Sequence, residues 1–181
     1  MFELILLIIF FIPVVLFILF IALFLLIPTK GRVFFIQKRI GREGREFALI
    51  KFRTLKADVT LPICKDESVL RKVSIPYGSF LRRSGLDELP QIFNIIKGDM
   101  NFIGPRPFLR RELLHLNKDE FAQRHTIRPG ITGLWQLKRK YDANDMDYIQ
   151  LDIKYLRQSS LRLDLEILFS TCIYLLKQQG V

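Results

Sequence analysis

The sequence predicts an α/β fold, rich in helix with one small β-hairpin and carried behind a membrane segment. Three observations lead there. An apolar run from Phe2 to Ile27 holds a single charge, Glu3; two segments rich in Val, Ile and aromatics flank a glycine-bounded turn; and several later segments place apolar residues at helical spacing. With 181 residues the chain has room for one ordinary domain plus an appendage. The expected division is an anchor over 1–30 and a single domain over 31–181.

The anchor comes first. At 1.5 Å per residue, the run FELILLIIFFIPVVLFILFIALFLLI is long enough to reach across a hydrocarbon core of about 30 Å. It lacks the basic leader and small-residue cleavage site of a secretory signal, so it is expected to stay in place as an anchor. Pro13 falls near its middle, where it removes one helical hydrogen bond and its ring crowds the preceding turn. A kinked span and a helix that breaks at Pro13 and turns back are both compatible with this pattern.

Half of the residues are hydrophobic, yet the formal charge is +10, so apolar and basic character are segregated. From Lys30 to Lys56 stand nine basic residues against two acidic ones, Glu43 and Glu46. By the positive-inside rule this flank is cytoplasmic, and its position beside the apolar run makes anionic membrane lipid its expected partner rather than nucleic acid. Cys64 and Cys172 show no paired spacing, which argues against a disulfide framework or a zinc site and fits a reducing compartment. His115 and His125 show no ligand spacing either.

Behind the flank, VFFIQK and EFALIKFRT on either side of Gly41-Arg-Glu-Gly44 predict the hairpin, with Lys51 and Arg53 on one face by the two-residue period. Residues 57–76 are weakly patterned, with a short helix expected at 67–72. Leu89, Ile92, Phe93 and Ile96, followed by Lys97-Gly98, predict a helix of about ten residues starting near Asp87. Two more are expected, at 145–156 and 163–178. On the last, Leu165, Leu168, Phe169, Cys172, Ile173 and Leu176 make a wide apolar stripe suited to a protein core, a bilayer surface or a second copy of the chain.

The stretch SGLDELPQIFN carries the chemistry. Pro90 is tolerated only in a first helical turn, which places Asp87 and Glu88 at a helix start. Capping alone accounts for such a pair. It does not account for the cations around it: Arg82 and Arg83 before, Arg106 in Gly104-Pro105-Arg106-Pro107, then Arg110, Arg111 and Arg128. Clustered arginines suit phosphate, and a carboxylate in a phosphate site can attack phosphorus to form an acyl phosphate while a neighbouring carboxylate serves as base. Neighbouring helical residues point about 100° apart, so the two carboxylates take different roles.

RSGLDELPQIFNIIKGDMNFIGPRP, with KFRTL before it and RPGITGLWQ after it, resembles the bacterial sugar transferase family, the monotopic phosphoglycosyl transferases. The resemblance runs from about Ile12 to Leu176. It implies transfer of a sugar 1-phosphate from a UDP-sugar to a polyprenol phosphate such as undecaprenyl phosphate, with release of UMP and with magnesium as cofactor. Asp87 matches the nucleophile that forms a covalent phosphosugar intermediate and is the best candidate for the metal, Glu88 its partner carboxylate, and Arg83 a phosphate ligand. Arg106 and Arg128 match motif arginines assigned to nucleotide or phosphate, and Lys51 and Arg53 a basic strand near the polyprenol phosphate.

The resemblance also implies a re-entrant membrane helix broken at Pro13, amphipathic interface helices, and a catalytic domain on the cytoplasmic face of the bacterial inner membrane. Ile12 departs from the serine common before that proline, and Leu137-Lys138-Arg139-Lys140 departs from the family's usual wording. The alternative class is a non-catalytic membrane-anchored scaffold that binds anionic lipid or nucleic acid through the same basic face.

Overall fold

The computed structural model describes residues 2–56, 59, 67–114, 116–138 and 147–178. Cys64, His115, Arg139 and Lys140 lie outside them. Packing divides the chain into two compact units, Met1–Phe35 with Lys51–Pro90, and Ile36–Ile50 with Gln91–Val181.

The first unit opens with helix α1 (Phe2–Leu25), a single helical element with Pro13 inside it, the position where the sequence leaves a kink and a break both open. Proline removes one hydrogen bond, but the turns on either side can stay helical, so the element continues through it. Its side chains are described from Phe11 onward, and among the described residues no helix is long and apolar enough to cross a membrane. α1 ends in a Schellman motif: Lys30 takes a left-handed conformation, Gly31 N–H donates to Leu26 O and Lys30 N–H to Ile27 O.

Ile18, Ile21 and Leu25 on α1, with Val33, Phe52, Ile75 and Leu81, are the buried apolar residues of this unit among the described ones. Helix α2 (Glu67–Val73) matches the short helix expected in the weakly patterned stretch. Helix α3 (Gly78–Ser84) follows it and was not legible in the pattern. Gly78 is obligatory, because a Cβ there would overlap the Thr54 carbonyl oxygen.

Strands β1 (Phe34–Ile40) and β2 (Glu46–Phe52) form the expected two-stranded sheet. The turn between them is a short 3-10 turn in which Glu43 and Gly44 have positive φ, 57° and 71°.

In the second unit, helix α4 (Ile92–Lys97) stops at Gly98, as Lys97-Gly98 predicts. Asn94, fully buried, accepts from Ile50 N–H at 3.1 Å and donates to Ala48 O at 2.7 Å, completing the edge of β2. Strands β3 (Asn101–Ile103) and β4 (Gly130–Thr132) pair in parallel, the crossover between them carrying helix α5 (Lys118–Arg124). Helix α6 (Leu134–Lys138) leads to α7 (Asp147–Gln158) and α8 (Leu161–Gln178), the two terminal helices the sequence predicts. Ile40, Phe108, Leu113, Ile149 and Ile153 form this unit's core.

The apolar stripe of α8 mostly faces outward. Leu165, Leu168, Phe169 and Cys172 are exposed, as is Leu161 one turn earlier, whereas Ile167 is fully buried. The side chain of Leu176 lies outside the described ones.

Candidate active site

Asp87, Glu88, Lys51, Arg53 and Arg83 belong to the first unit, Arg106 and Arg128 to the second. Local geometry sets what each can do.

The carboxylate pair does not open an α-helix. α3 ends at Gly85 in a left-handed conformation, and the chain enters a 3-10 turn over Leu86–Gln91, with Glu88 N–H donating to Gly85 O at 3.1 Å. Pro90 lacks the N–H that an α-helix would use there, so the tighter turn runs first and α4 starts only at Ile92. With three residues per turn, successive side chains point about 120° apart, and Asp87 and Glu88 meet different surroundings.

Asp87 is 8% exposed. Its carboxyl is pushed up to about 7, first by burial and then by the adjacent Glu88 charge, against a smaller pull from Lys51 and Arg82. Among the described residues no cation hydrogen-bonds its oxygens. Glu88 differs: its Oε1 accepts from Lys51 Nζ at 2.5 Å. Lys51 thus fixes one carboxylate, while the other keeps open lone pairs.

In the sequence Arg82 stands only among the surrounding cations, yet of the two adjacent arginines it is the one whose charge, after that of Lys51, favours the ionised Asp87. Its guanidinium donates to Thr54 Oγ1 at 3.2 Å, Ser74 Oγ at 2.7 Å and Ser79 Oγ at 3.4 Å. Arg83, one position on, is exposed and has no hydrogen-bond or ion-pair partner among the described residues. The helical rotation of about 100° per residue separates them. The signal that could have singled out Arg82 is the hydroxyl-rich stretch 74–79, which carries Ser74 and Ser79.

Arg53 does not share the task of Lys51, although the strand period aligns them. Its Nε donates to Arg32 O at 2.9 Å and its guanidinium lies 5.8 Å from the Phe35 ring centroid. Arg32 and Arg53 also flank a cleft of about 530 Å³ lined by Leu19, Ala22, Leu23 and Leu26 of α1 and by Val33 and Phe34.

In the second unit, the turns that carry Arg106 and Arg128 are stitched backbone to backbone. Gly104 N–H donates to Thr132 O, Gly130 N–H to Pro105 O and Asn101 N–H to Pro129 O. A Cβ on Gly104 would sit 2.7 Å from the Arg128 carbonyl oxygen, so only glycine permits that approach. Arg106 lays its guanidinium over Trp135, 4.4 Å from the ring centroid, and the exposed Arg128 rests against Gly98 at the end of α4.

Within the first unit, a carboxylate with open lone pairs beside a second one fixed by lysine can serve as nucleophile and base; within the second, arginines on glycine-bounded turns can bind anions. The family model described as Bacterial sugar transferase matches residues 1–178. The chain belongs to the bacterial sugar transferase family. It is similar to the UDP-glucose:undecaprenyl-phosphate glucose-1-phosphate transferase of Xanthomonas campestris pv. campestris, 38% identical over 160 residues, covering 83% of this chain and 33% of that protein. It is similar as well to the exopolysaccharide production protein ExoY of Rhizobium meliloti (strain 1021), 38% identical over 175 residues and covering 84% and 76% of the two chains. The sugar transferase EpsL of Bacillus subtilis (strain 168) is 38% identical over 151 residues, covering 82% and 72%. This bacterial sugar transferase thus spans about a third of the Xanthomonas relative and most of the length of ExoY and EpsL.

Proposed function

We propose that this sugar transferase moves a sugar 1-phosphate from a UDP-sugar to a polyprenol phosphate, undecaprenyl phosphate by the wording of its relatives' names, through an aspartyl-phosphosugar intermediate. The observation that carries it is Asp87: a buried carboxylate without a bonded cation among the described residues, beside a glutamate held by lysine.

In the first half-reaction an ionised Asp87 oxygen attacks the sugar-bearing phosphorus of the donor. The bond from that phosphorus to the bridging oxygen breaks, and its electrons leave with UMP. In the second, a phosphate oxygen of the acceptor attacks the same phosphorus, the Asp87 oxygen–phosphorus bond breaks, and the carboxylate is restored. Glu88 takes a proton from an acceptor that arrives protonated, with Lys51 holding it in place. Arg82 and Arg83 offset charge on phosphate near the nucleophile, and Arg106 and Arg128 hold phosphate or nucleotide oxygens of the donor.

Magnesium fits the donor set. It favours few protein carboxylates together with phosphate and water oxygens, and Asp87 has open lone pairs. Bound there with Asp87, it would neutralise phosphate charge.

Residues 1–30 serve as the anchor and 31–181 as the catalytic part on the cytoplasmic face of the bacterial inner membrane. α1 takes a re-entrant course bent at Pro13, the exposed apolar side of α8 lies on the bilayer, and the cleft beside Arg32 and Arg53 receives the prenyl chain. A single cysteine in place of Glu3 is then shielded from a membrane-impermeant reagent outside intact cells; labelling there rejects the re-entrant course.

For the chemistry, intact protein is incubated with magnesium and a panel of UDP-sugars and its mass measured. A sugar-phosphate adduct is expected on the wild type and not on Asp87→Asn. Absence from the wild type, or equal labelling of the two, sinks the nucleophile assignment.

A further inference from the structure

The second unit buries an ion pair that the chemistry above does not use. Arg124 on α5 and Asp152 on α7 are each 1% exposed. Arg124 donates to Asp152 Oδ2 through Nε at 2.9 Å and through one terminal nitrogen at 2.6 Å. That terminal nitrogen also donates to the carbonyl oxygen of Arg106, and Asp152 Oδ2 accepts from Arg106 N–H at 3.4 Å. The pair therefore grips the main chain of Arg106 at both its polar atoms.

The surroundings leave the grip little freedom. Arg124 lies 4.4 Å from the Phe108 ring centroid, and the Arg106 guanidinium lies 5.8 Å from the same centroid, so Phe108 contacts both cations. The other terminal nitrogen of Arg124 sits 3.2 Å from His125 Nε2, while His125 Nδ1 donates to Phe121 O at 2.6 Å. This uses His125 as a neutral acceptor, in keeping with the burial that lowers its pKa. Glu112 adds a more distant attraction on Arg124.

A buried ion pair is weak as a source of stability, because desolvation cancels much of the attraction; apolar pairs of similar volume often do as well. Holding a neighbouring backbone is something an apolar pair does not do. Pro105 and Pro107 stiffen the turn around Arg106, yet the torsion on the Arg106 C–O side and the aim of its side chain are set by what binds its two backbone groups.

Resting on the transferase reading, we infer that Arg124 and Asp152 are positioning residues for the reaction: they fix the Arg106 backbone so that its guanidinium, laid along Trp135, meets the phosphate or nucleotide oxygens of the donor. They touch no substrate themselves. Preorganised donors lose little on binding and much when loosened, so the effect belongs in recognition of the donor.

Two variants separate this from a merely structural role. Arg124→Lys keeps a cation for Asp152 but loses the fork that also reaches Arg106 O. The double variant Arg124→Met/Asp152→Leu removes the buried charges and restores apolar packing, so a structural role is rescued and the grip is not. UMP release from the UDP-sugar is measured for each, with and without Arg106→Ala, alongside thermal midpoints.

Both variants are expected to raise the donor KM about tenfold with Arg106 present and less than about twofold once Arg106 is already alanine, the non-additivity of residues acting through one another. The KM for polyprenol phosphate stays unchanged. Equal effects in the two backgrounds, or a wild-type donor KM in either folded variant, overturn the inference. Should the double variant not fold, Arg124→Lys carries the same comparison. A wild type that releases no UMP from any UDP-sugar overturns the transferase reading and the inference with it.

Discussion

Asp87 and Asp152 are both buried carboxylates, and they are provisioned in opposite ways. Asp152 accepts two bonds from a guanidinium and one from a backbone N–H. Asp87 has a like charge as its chain neighbour and no bonded cation among the described residues. Burial pushes both carboxyls up, but at Asp152 the bonded Arg124 opposes that push directly, and at Asp87 the help comes from a distance. One carboxylate is tied down as part of the frame; the other is kept short of partners, which is how a nucleophile is kept available.

The largest effect that sharpens this contrast is on stability. Asp152→Asn strands the buried Arg124 charge and is expected to cost about 3–5 kcal/mol, read as a fall in the denaturant midpoint. A loss below about 1 kcal/mol would mean that the pair is not built as a unit.

Asp87→Asn should do the reverse. The folded-state pKa of about 7 lies above the ordinary aspartate value of 3.8, so the folded chain holds the proton to higher pH than the unfolded one. The stability tied to that proton is present below pH 3.8 and is lost as pH rises through 7. At pH 8 the neutral asparagine is therefore expected to be more stable than wild type by about 4 kcal/mol, and by little at pH 4. UMP release should rise with pH through the same window, because only the ionised carboxylate attacks. A difference in stability that does not change with pH removes the argument that Asp87 is strained by burial.

The smallest effect separates neighbours. Arg82→Ala removes the cation held by three hydroxyls and acting on Asp87, and is expected to slow UMP release about tenfold or more. Arg83→Ala, at an exposed site, should change it less than about threefold. The reverse order would assign the phosphate to Arg83, as the sequence motif implies.

Much of the frame was legible because local rules decide it. The β1–β2 hairpin follows from its alternation and Gly41–Gly44, the stop of α4 from Lys97-Gly98, and α7 and α8 from their apolar period. The parallel pairing of β3 with β4 was not legible: three-residue strands have no period to read, and their partners stand far apart in the chain. Arg124 and Asp152 carried a faint signal, an acid among the buried positions of α7, but a charge inside an apolar helix face says nothing about its partner until the fold supplies one.

The sequence by itself determined the family, the carboxylate pair and the segregation of apolar from basic chain, because those reside in contiguous motifs and in composition. Tertiary structure decided the rest: that Lys51 goes to Glu88 while Arg53 goes to backbone carbonyls, that Arg82 rather than Arg83 acts on Asp87, and that a buried pair grips Arg106. Each of those depends on burial and on distances between residues remote in sequence, which no local pattern encodes.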